Sequence, residues 1–346
     1  MKVVHLVGSP VSEFMADLSR LYAADCLRAT ADPTAYDVTI AHVAPGGLWS
    51  FPTDLSERGL AAVEPLMLPE AVQVLTDLAP DVMVPQMFCL PGMTTYRSLF
   101  DLLGIPFVGN TAEAMGIAAH KAQAKAVVAG AGVRVPQGVL VTASCAEPPL
   151  PLPVVVKPVD ADNSTGVALV RSSSEYAAAV TAALQHSAEV LVEEYVELGR
   201  EVRCGVLEVD GELVGLPLEE YAVGADKPIR GYADKLRGHG DDLTLVAKDA
   251  EHAWILDPSD PLTERVHEAA RSAHRALGCR DYSLFDFRVD ADGEPWFLEA
   301  GLYCSYAEKS VVAVMARAAG TALPDLFRTG LEQALARAAS PTRSTP

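Results

Sequence analysis

Leu152–Val167, LPVVVKPVDADNSTGV, is the stretch on which the reading of this chain turns. Val154, Val155 and Val156 predict a strand, and Lys157 ends it just ahead of a turn of small polar residues. Lysine is scarce, with eight in 346 residues, so a lysine on an apolar strand is not a default solubilising charge. An ammonium among apolar side chains needs an anion. Asp162, Asn163, Ser164, Thr165 and Gly166 follow, with hydroxyls and flexible backbone amides that suit phosphate. On this stretch alone, a surface hairpin whose lysine snorkels to water is an equal reading.

The length of 346 residues exceeds what one core usually fills and predicts two or three domains, with 50% apolar residues to bury. The opening MKVVHLVGSP lacks a basic region before a long apolar run, so it reads as a first strand rather than a signal peptide. No stretch of eighteen apolar residues predicts a membrane span. Six cysteines without a CxxC pair, and histidines without ligand spacing, argue against a zinc site or a disulfide framework, and predict reduced thiols and a cytoplasmic protein. A net charge of −19 disfavours nucleic acid and anionic membranes as partners. A polyanionic ligand therefore needs a local basic pocket.

Taken in order, Lys2–Val7 predicts a strand, Ser12–Ala29 a helix, Tyr36–Val43 a second strand, Leu66–Leu78 a helix and Asp81–Met87 a third strand. Ala44–Thr53 reads as loop, and Gly104–Gly109 leads to a fourth strand. Alternating strands and helices imply a parallel sheet. Met115–Gly132 predicts one alanine-rich helix carrying Lys121 and Lys125 on one face. Val139–Val141, Val154–Lys157, Val167–Val170 and Val190–Tyr195 are strand-like, with a serine-capped helix over Ser174–Leu184. Glu201–Val209 and Glu212–Leu218 flank the turn at Asp210-Gly211, and Tyr282–Val289 and Pro295–Glu299 form another hairpin. Gly224–His252 is irregular and polar, and predicts a mobile loop. Pro261–Leu277, Ser310–Ala319 and Leu323–Ala338 predict helices. The expected fold is therefore α/β and α+β. Its divisions are 1–115 (α/β), 116–200 (α+β), 201–340 (α+β) and a disordered tail at 341–346.

The second hairpin sets Asp286 opposite Glu299 in otherwise apolar strands, SLFDFRV and PWFLEAG. Two such carboxylates repel unless a cation sits between them, and magnesium suits them because it takes carboxylates plus phosphate oxygens. The alternative is that either side chain points to solvent. Glu193-Glu194 follow an apolar run and Glu201 starts the next strand, where a carboxylate can accept hydrogen bonds from a ribose or an amino group. Glu13, after the first strand, is either a substrate ligand or a first-turn acid favoured by the helix dipole.

These parts in this order resemble the ATP-grasp enzymes, and among them the D-alanine:D-alanine ligase group. The likeness covers nearly the whole chain and rests on GIAAHKAQAK with GVRVPQG after it, PVVVKPVDADNSTGV, VLVEEYVELGREV, GYADK, GCRDYSLFDFRVDADGEPWFLEAG and SVVAVMARAAG. It implies an ATP-grasp architecture of three domains, with the nucleotide between the last two. By that resemblance Lys121 and Lys157 bind ATP phosphates, and Asn163 and Ser164 lie in the loop that closes over them. Glu193 and Val196 meet the adenine and Glu201 the ribose. Lys235 reaches the γ-phosphate, and Asp286 with Glu299 holds magnesium. Glu13 binds the first amino acid's ammonium, and Ser310-Val311 the acceptor carboxylate. No GxxxxGK[ST] is present, so this is not a P-loop site.

Departures from the group are informative. The metal-binding asparagine expected two residues after Glu299 is Gly301, and the arginine expected two residues before Asp286 is Leu284. Arg288, Arg203 or Arg230 are the substitutes available for that arginine. The donor loop reads Gln86-Met87-Phe88-Cys89-Leu90-Pro91-Gly92-Met93. The expectation is an ATP-dependent carboxylate-amine ligase acting through an acyl phosphate on amino acids or small peptides other than two D-alanines. The D-alanine:D-alanine reaction is the runner-up. A nucleotide-binding regulator and a small-molecule kinase are the rivals outside the class. By analogy with the group a homodimer is expected.

Overall fold

The computed structural model describes residues 1–144, 147–161, 164–197, 199–224, 226, 228–230, 236–237, 244–245 and 252–339. Asn163, Lys235 and the tail 341–346 lie outside the described residues, as does most of the stretch 224–252. The described chain forms two compact units. One comprises Met1–Gly116, Arg280–Tyr282 and the described residues from Tyr303 onward; the other comprises Ile117–Cys279 and Ser283–Leu302.

In the first unit, β1 (Lys2–Gly8), β2 (Asp37–Val43), β3 (Trp49–Ser50) and β4 (Val82–Pro85) make a sheet of order β3-β2-β1-β4. β1 runs parallel to β2 and β4, while β3 is antiparallel to β2. The expected loop thus contributes a short edge strand, because Trp49 is buried and exchanges backbone hydrogen bonds with Leu66. The expected fourth parallel strand shrinks to one bridge between Phe107 and Met83. Pro106 has no N–H to continue the ladder there. The sheet is therefore mixed rather than wholly parallel. Its flanking helices are α1 (Glu13–Ala29), α2 (Glu57–Ala61), α3 (Leu68–Leu78), α4 (Leu90–Met93) and α5 (Thr95–Leu102). α1 begins at Ser12, whose hydroxyl accepts the Met15 N–H. Gly8 leaves β1 at φ +100°, and a Cβ there would stand 2.1 Å from the Val43 carbonyl oxygen, so this turn requires glycine.

The chain passes into the second unit within α6 (Ala112–Ala119), and α7 (Lys121–Gly130) follows. The run read as one helix is two, because His120 leaves the helical region at φ −104°, ψ 101° and caps α7, its side chain accepting the Gln123 N–H. β5 (Gly138–Val141), β6 (Val154–Pro158), β7 (Ala168–Val170) and β8 (Val190–Glu194) form an antiparallel sheet of order β5-β8-β6-β7. α8 (Ser173–Ala183) packs Tyr176, Val180 and Ala183 with Val154, Val156, Val190 and Val192 in one apolar core.

The larger sheet holds β9 (Arg200–Val209), β10 (Glu212–Gly215) and β11 (Glu219–Tyr221), and after the two-residue strands β12 (Leu236–Arg237) and β13 (Thr244–Leu245) it takes up β14 (Ala253–Ile255). Beyond α9 (Leu262–Ala276) it is completed by β15 (Tyr282–Val289) and β16 (Pro295–Ala300), in the order β14-β11-β9-β15-β16 with β10 on β9. Among the described residues, β12 and β13 pair with each other. Asp210 and Gly211 join β9 to β10 with φ of 52° and 82°, the left-handed pair that a two-residue hairpin turn demands. β15 is buried along its whole length, so its Ser283, Asp286 and Arg288 are buried along with its apolar residues. Returning to the first unit, α10 (Val311–Ala318) and α11 (Leu323–Ala339) finish the described chain.

Candidate functional site

β6 and β8 pair so that Lys157 faces Leu191 and Val155 faces Glu193. Lys157 and Glu193 are therefore diagonal neighbours on one face of the sheet, within reach of long side chains. The Lys157 ammonium meets one Glu193 oxygen, and Lys125, one turn along α7 from Lys121, meets the other. All three side chains are buried. Burial alone raises the Glu193 carboxyl, but the two ammoniums outweigh it and hold the group below the usual carboxylate range. Burial dominates at Lys125 and brings it down to about 7 against the opposing pull of Glu193. Lys121 opens α7, donating its backbone N–H to the Val159 carbonyl at 2.9 Å and its ammonium to the Ala161 carbonyl at 2.5 Å. The same ammonium stands 3.7 Å from Glu299.

A second group of charges is built on arginines. Glu201, at the start of β9, accepts from Arg230 at 2.6 Å and from Arg288 of β15 at 2.8 Å. These two guanidiniums override the upward push of burial and hold its carboxyl below the usual range. Asp286 of β15 takes the fork of Arg203 from neighbouring β9, one arm on each oxygen, with the second at 3.0 Å. Arg230 adds a contact to Asp286 at 3.6 Å, and its guanidinium carbon lies over the Tyr221 ring, 3.6 Å from its centre. Burial works against the charge on Arg203, but Asp286 outweighs it and keeps that guanidinium firmly protonated. On the hairpin, Asp286 and Glu299 are register partners, as the sequence implied.

Most of these residues line one cleft with about 730 Å³ of empty space, open solvent included. Lys121, Lys157, Ser164, Glu193, Val196, Glu201, Asp286 and Glu299 all line it, with Val155, Val167 and Leu298 supplying apolar wall. Ser164 sits in the left-handed region at φ 59°, just before Gly166 at φ 70°. Two predicted residues lie elsewhere, in the first unit: Glu13 is the exposed first residue of α1, and Ser310 precedes α10 with a hydroxyl that has no hydrogen-bond partner among the described residues. Asn163 and Lys235 fall outside the described residues.

Lys125 is the member that the sequence reading left without a role, although its spacing of four from Lys121 was the available signal. Arg203, Arg230 and Arg288 all stand at the site, and their pairings run between strands and loops that no local pattern connects. Asp286 and Glu299 present hard oxygen donors on facing strands beside cations suited to phosphate. That set fits a magnesium ion which brings phosphate oxygens of its own. Among the described residues, no three acidic, histidine or cysteine side chains gather into an all-protein metal cage.

Comparison with known proteins adds to this geometry. Residues 140–332 match the family described as the D-ala D-ala ligase C-terminus. A D-alanine–D-alanine ligase of Geotalea uraniireducens is 33% identical over 247 residues, covering 70% of this chain and 73% of the relative. Among solved structures, the VanG D-Ala:D-Ser ligase of Enterococcus faecalis superposes with a TM-score of 0.74 at 23% identity, covering 96% of this chain and 99% of that one. The D-alanine–D-alanine ligase of Bacillus anthracis complexed with ATP does so with a TM-score of 0.69 at 20% identity, covering 98% of each chain. The likeness to both structures is one of fold.

Proposed function

The chain belongs to the D-alanine–D-alanine ligase family, ADP-forming ATP-grasp carboxylate–amine ligases, and from that premise we propose the roles of its residues and the class of its substrates. Lys121 and Lys157 hold the ATP phosphates, Glu201 accepts the ribose hydroxyls, and Glu193 and Val196 border the adenine. Ser164 and Asn163 belong to the turn that closes over the phosphates, and Lys235 reaches the γ-phosphate. Asp286 and Glu299 hold magnesium, which when bound neutralises charge on the polyphosphate. In the first unit, Glu13 and Ser310 keep the substrate-binding roles carried over from the family. We retain the division into 1–115, 116–200 and 201–340 as part of this proposal.

In the reaction so assigned, a substrate carboxylate oxygen attacks the γ-phosphorus and ADP departs. An amine then attacks the acyl carbon, phosphate leaves with the bonding electrons, and loss of a proton leaves the amide. The lysines and arginines of the cleft offset the negative charge that gathers, and the apolar wall limits water near the acyl phosphate. One observation carries the assignment: two buried lysines, a ribose-type carboxylate and a facing carboxylate pair converge on a single cleft.

The substrates are two amino acids or small amino-acid-like molecules, and the changed donor loop with Leu284 and Gly301 favours a pair other than two D-alanines. The names of the relatives, at about a third identity, favour D-alanine twice as the second reading. An assay of ADP and phosphate release over a panel of amino acids, with mass detection of the product, separates the two. D-Alanyl-D-alanine as the preferred product overturns the first reading, and no ADP with any acid and amine pair despite ATP binding overturns the ligase assignment. No described helix is long and apolar enough to cross a membrane. A cytoplasmic homodimer, with no nucleic-acid partner at a net charge of −19, completes the proposal, and light scattering measures the dimer.

A further inference from the structure

We propose that this cleft binds a single divalent cation with its nucleotide, and that Arg203 supplies the positive charge a second cation would bring. The inference deepens the ligase reading and rests on its assignment of Asp286 and Glu299 to the metal.

Two departures noted in the sequence turn out to be neighbours. The hairpin pairs Asp286 with Glu299 and Phe285 with Ala300, and the Gly301 N–H then donates to the Leu284 carbonyl at 2.7 Å. Because side chains alternate along a strand, positions 284 and 286 share a face, as do 299 and 301. One step from the carboxylate pair, on the same face, the hairpin therefore offers a leucine and a glycine. A Cβ built on Gly301 would lie 3.9 Å from the Leu284 carbonyl oxygen and 4.0 Å from its Cδ2, so the place beside Glu299 has room for a side chain but no side-chain donor.

Asp286 is committed from the other side. Arg203 reaches it from β9 with one arm on each carboxylate oxygen, and Arg230 stands 3.6 Å from the second oxygen. Each Asp286 oxygen already carries a guanidinium N–H, so one lone pair per oxygen is left, and a second cation at this carboxylate would add its charge beside that of Arg203. Displacing Arg203 would strand a largely buried charge, which is strongly unfavourable. Magnesium needs six oxygen ligands in near-octahedral order. Glu299, a remaining lone pair of Asp286, phosphate oxygens and water meet that need once. For a second ion, the Leu284–Gly301 side offers no side-chain oxygen and Arg203 already holds the charge.

Manganese counted against nucleotide tests this. The intact chain is saturated with ADP or β,γ-imido-ATP, and bound Mn²⁺ is measured from the loss of the free-ion signal in electron paramagnetic resonance. One Mn²⁺ per bound nucleotide is expected. Two would overturn the inference while leaving the ligase reading intact; none, with nucleotide bound, would overturn both. Gly301→Asn alone has space for its side chain and is expected to stay at one, because Arg203 remains; a second ion in that variant removes Arg203 from the explanation. Arg203→Met combined with Gly301→Asn is expected to bind two, and a count that stays at one refutes the claim that Arg203 excludes the second ion.

Discussion

Glu193 and Glu201 are buried carboxylates of the same cleft, each neutralised by two cations, yet one is held by lysines and the other by arginines. An ammonium is a compact point charge on a flexible stem, and its protonation yields to burial, as Lys125 shows at about 7. A guanidinium stays charged and presents a rigid fork, as Arg203 does to Asp286. On the proposed assignment the lysines exchange partners when phosphate binds, whereas the arginines hold their carboxylates in fixed orientation. Each of the two carboxylates faces two cations, so a chain of net charge −19 keeps a local positive excess at the proposed nucleotide cleft.

The largest effect is expected at Asp286. Asp286→Asn is expected to lower ADP formation by about 10³-fold, in line with the loss of a key electrostatic contact, and also to lower the melting temperature, because the buried Arg203 guanidinium loses its counter-ion. Full activity in that variant with magnesium present would remove the hairpin from the metal site. Lys157→Met comes next, with kcat/KM for ATP expected to fall about 10²-fold. Lys157→Arg should restore little, since a planar fork does not mimic a swivelling ammonium.

Lys125→Met probes the lysine end through pH. The folded chain holds Lys125 near 7, below the ordinary 10.5, so between these values the unfolded chain binds more protons. The contribution of this group to stability therefore rises with pH across that window and is lost as pH falls through 7. Denaturant midpoints of parent and variant at pH 6.5 and pH 9 should show the rise in the parent and a flatter profile in Lys125→Met. The smallest effect is expected from Arg288→Lys, which keeps the charge near Glu201 but gives up the fork: nucleotide Kd, read by calorimetry, should weaken about threefold to tenfold, or roughly 1 kcal/mol. An unchanged Kd would show that orientation at the arginine end is of no consequence.

Much of this was legible from local pattern. The valine run before Lys157, the Asp210-Gly211 turn and the apolar strands around Asp286 and Glu299 each declare themselves within a few residues, and their strands formed where expected. Features that depend on distant partners were not. Trp49 becomes an edge strand because Leu66 meets it, and Arg203 finds Asp286 from 83 residues away. The break at His120 is a further case. Its flanks are good helix formers, and only the side-chain cap on Gln123 reveals that Lys121 begins a new helix. Lys125 could be placed on a helical face, yet its partner Glu193 lies on a strand whose depth the sequence does not state.

The start of α7 is stitched twice to the segment that leaves β6, once by the Lys121 amide on Val159 and once by the Lys121 ammonium on Ala161. The amide that guards this stitch is a reporter. Its exchange with deuterium requires the helix start and the turn after β6 to part, so its protection measures how firmly the two are clasped. A phosphate that draws the ammonium from Ala161 removes one stitch and leaves the other. Deuterium uptake at Lys121, followed as nucleotide is added, therefore tells whether the clasp tightens around its guest or yields to it.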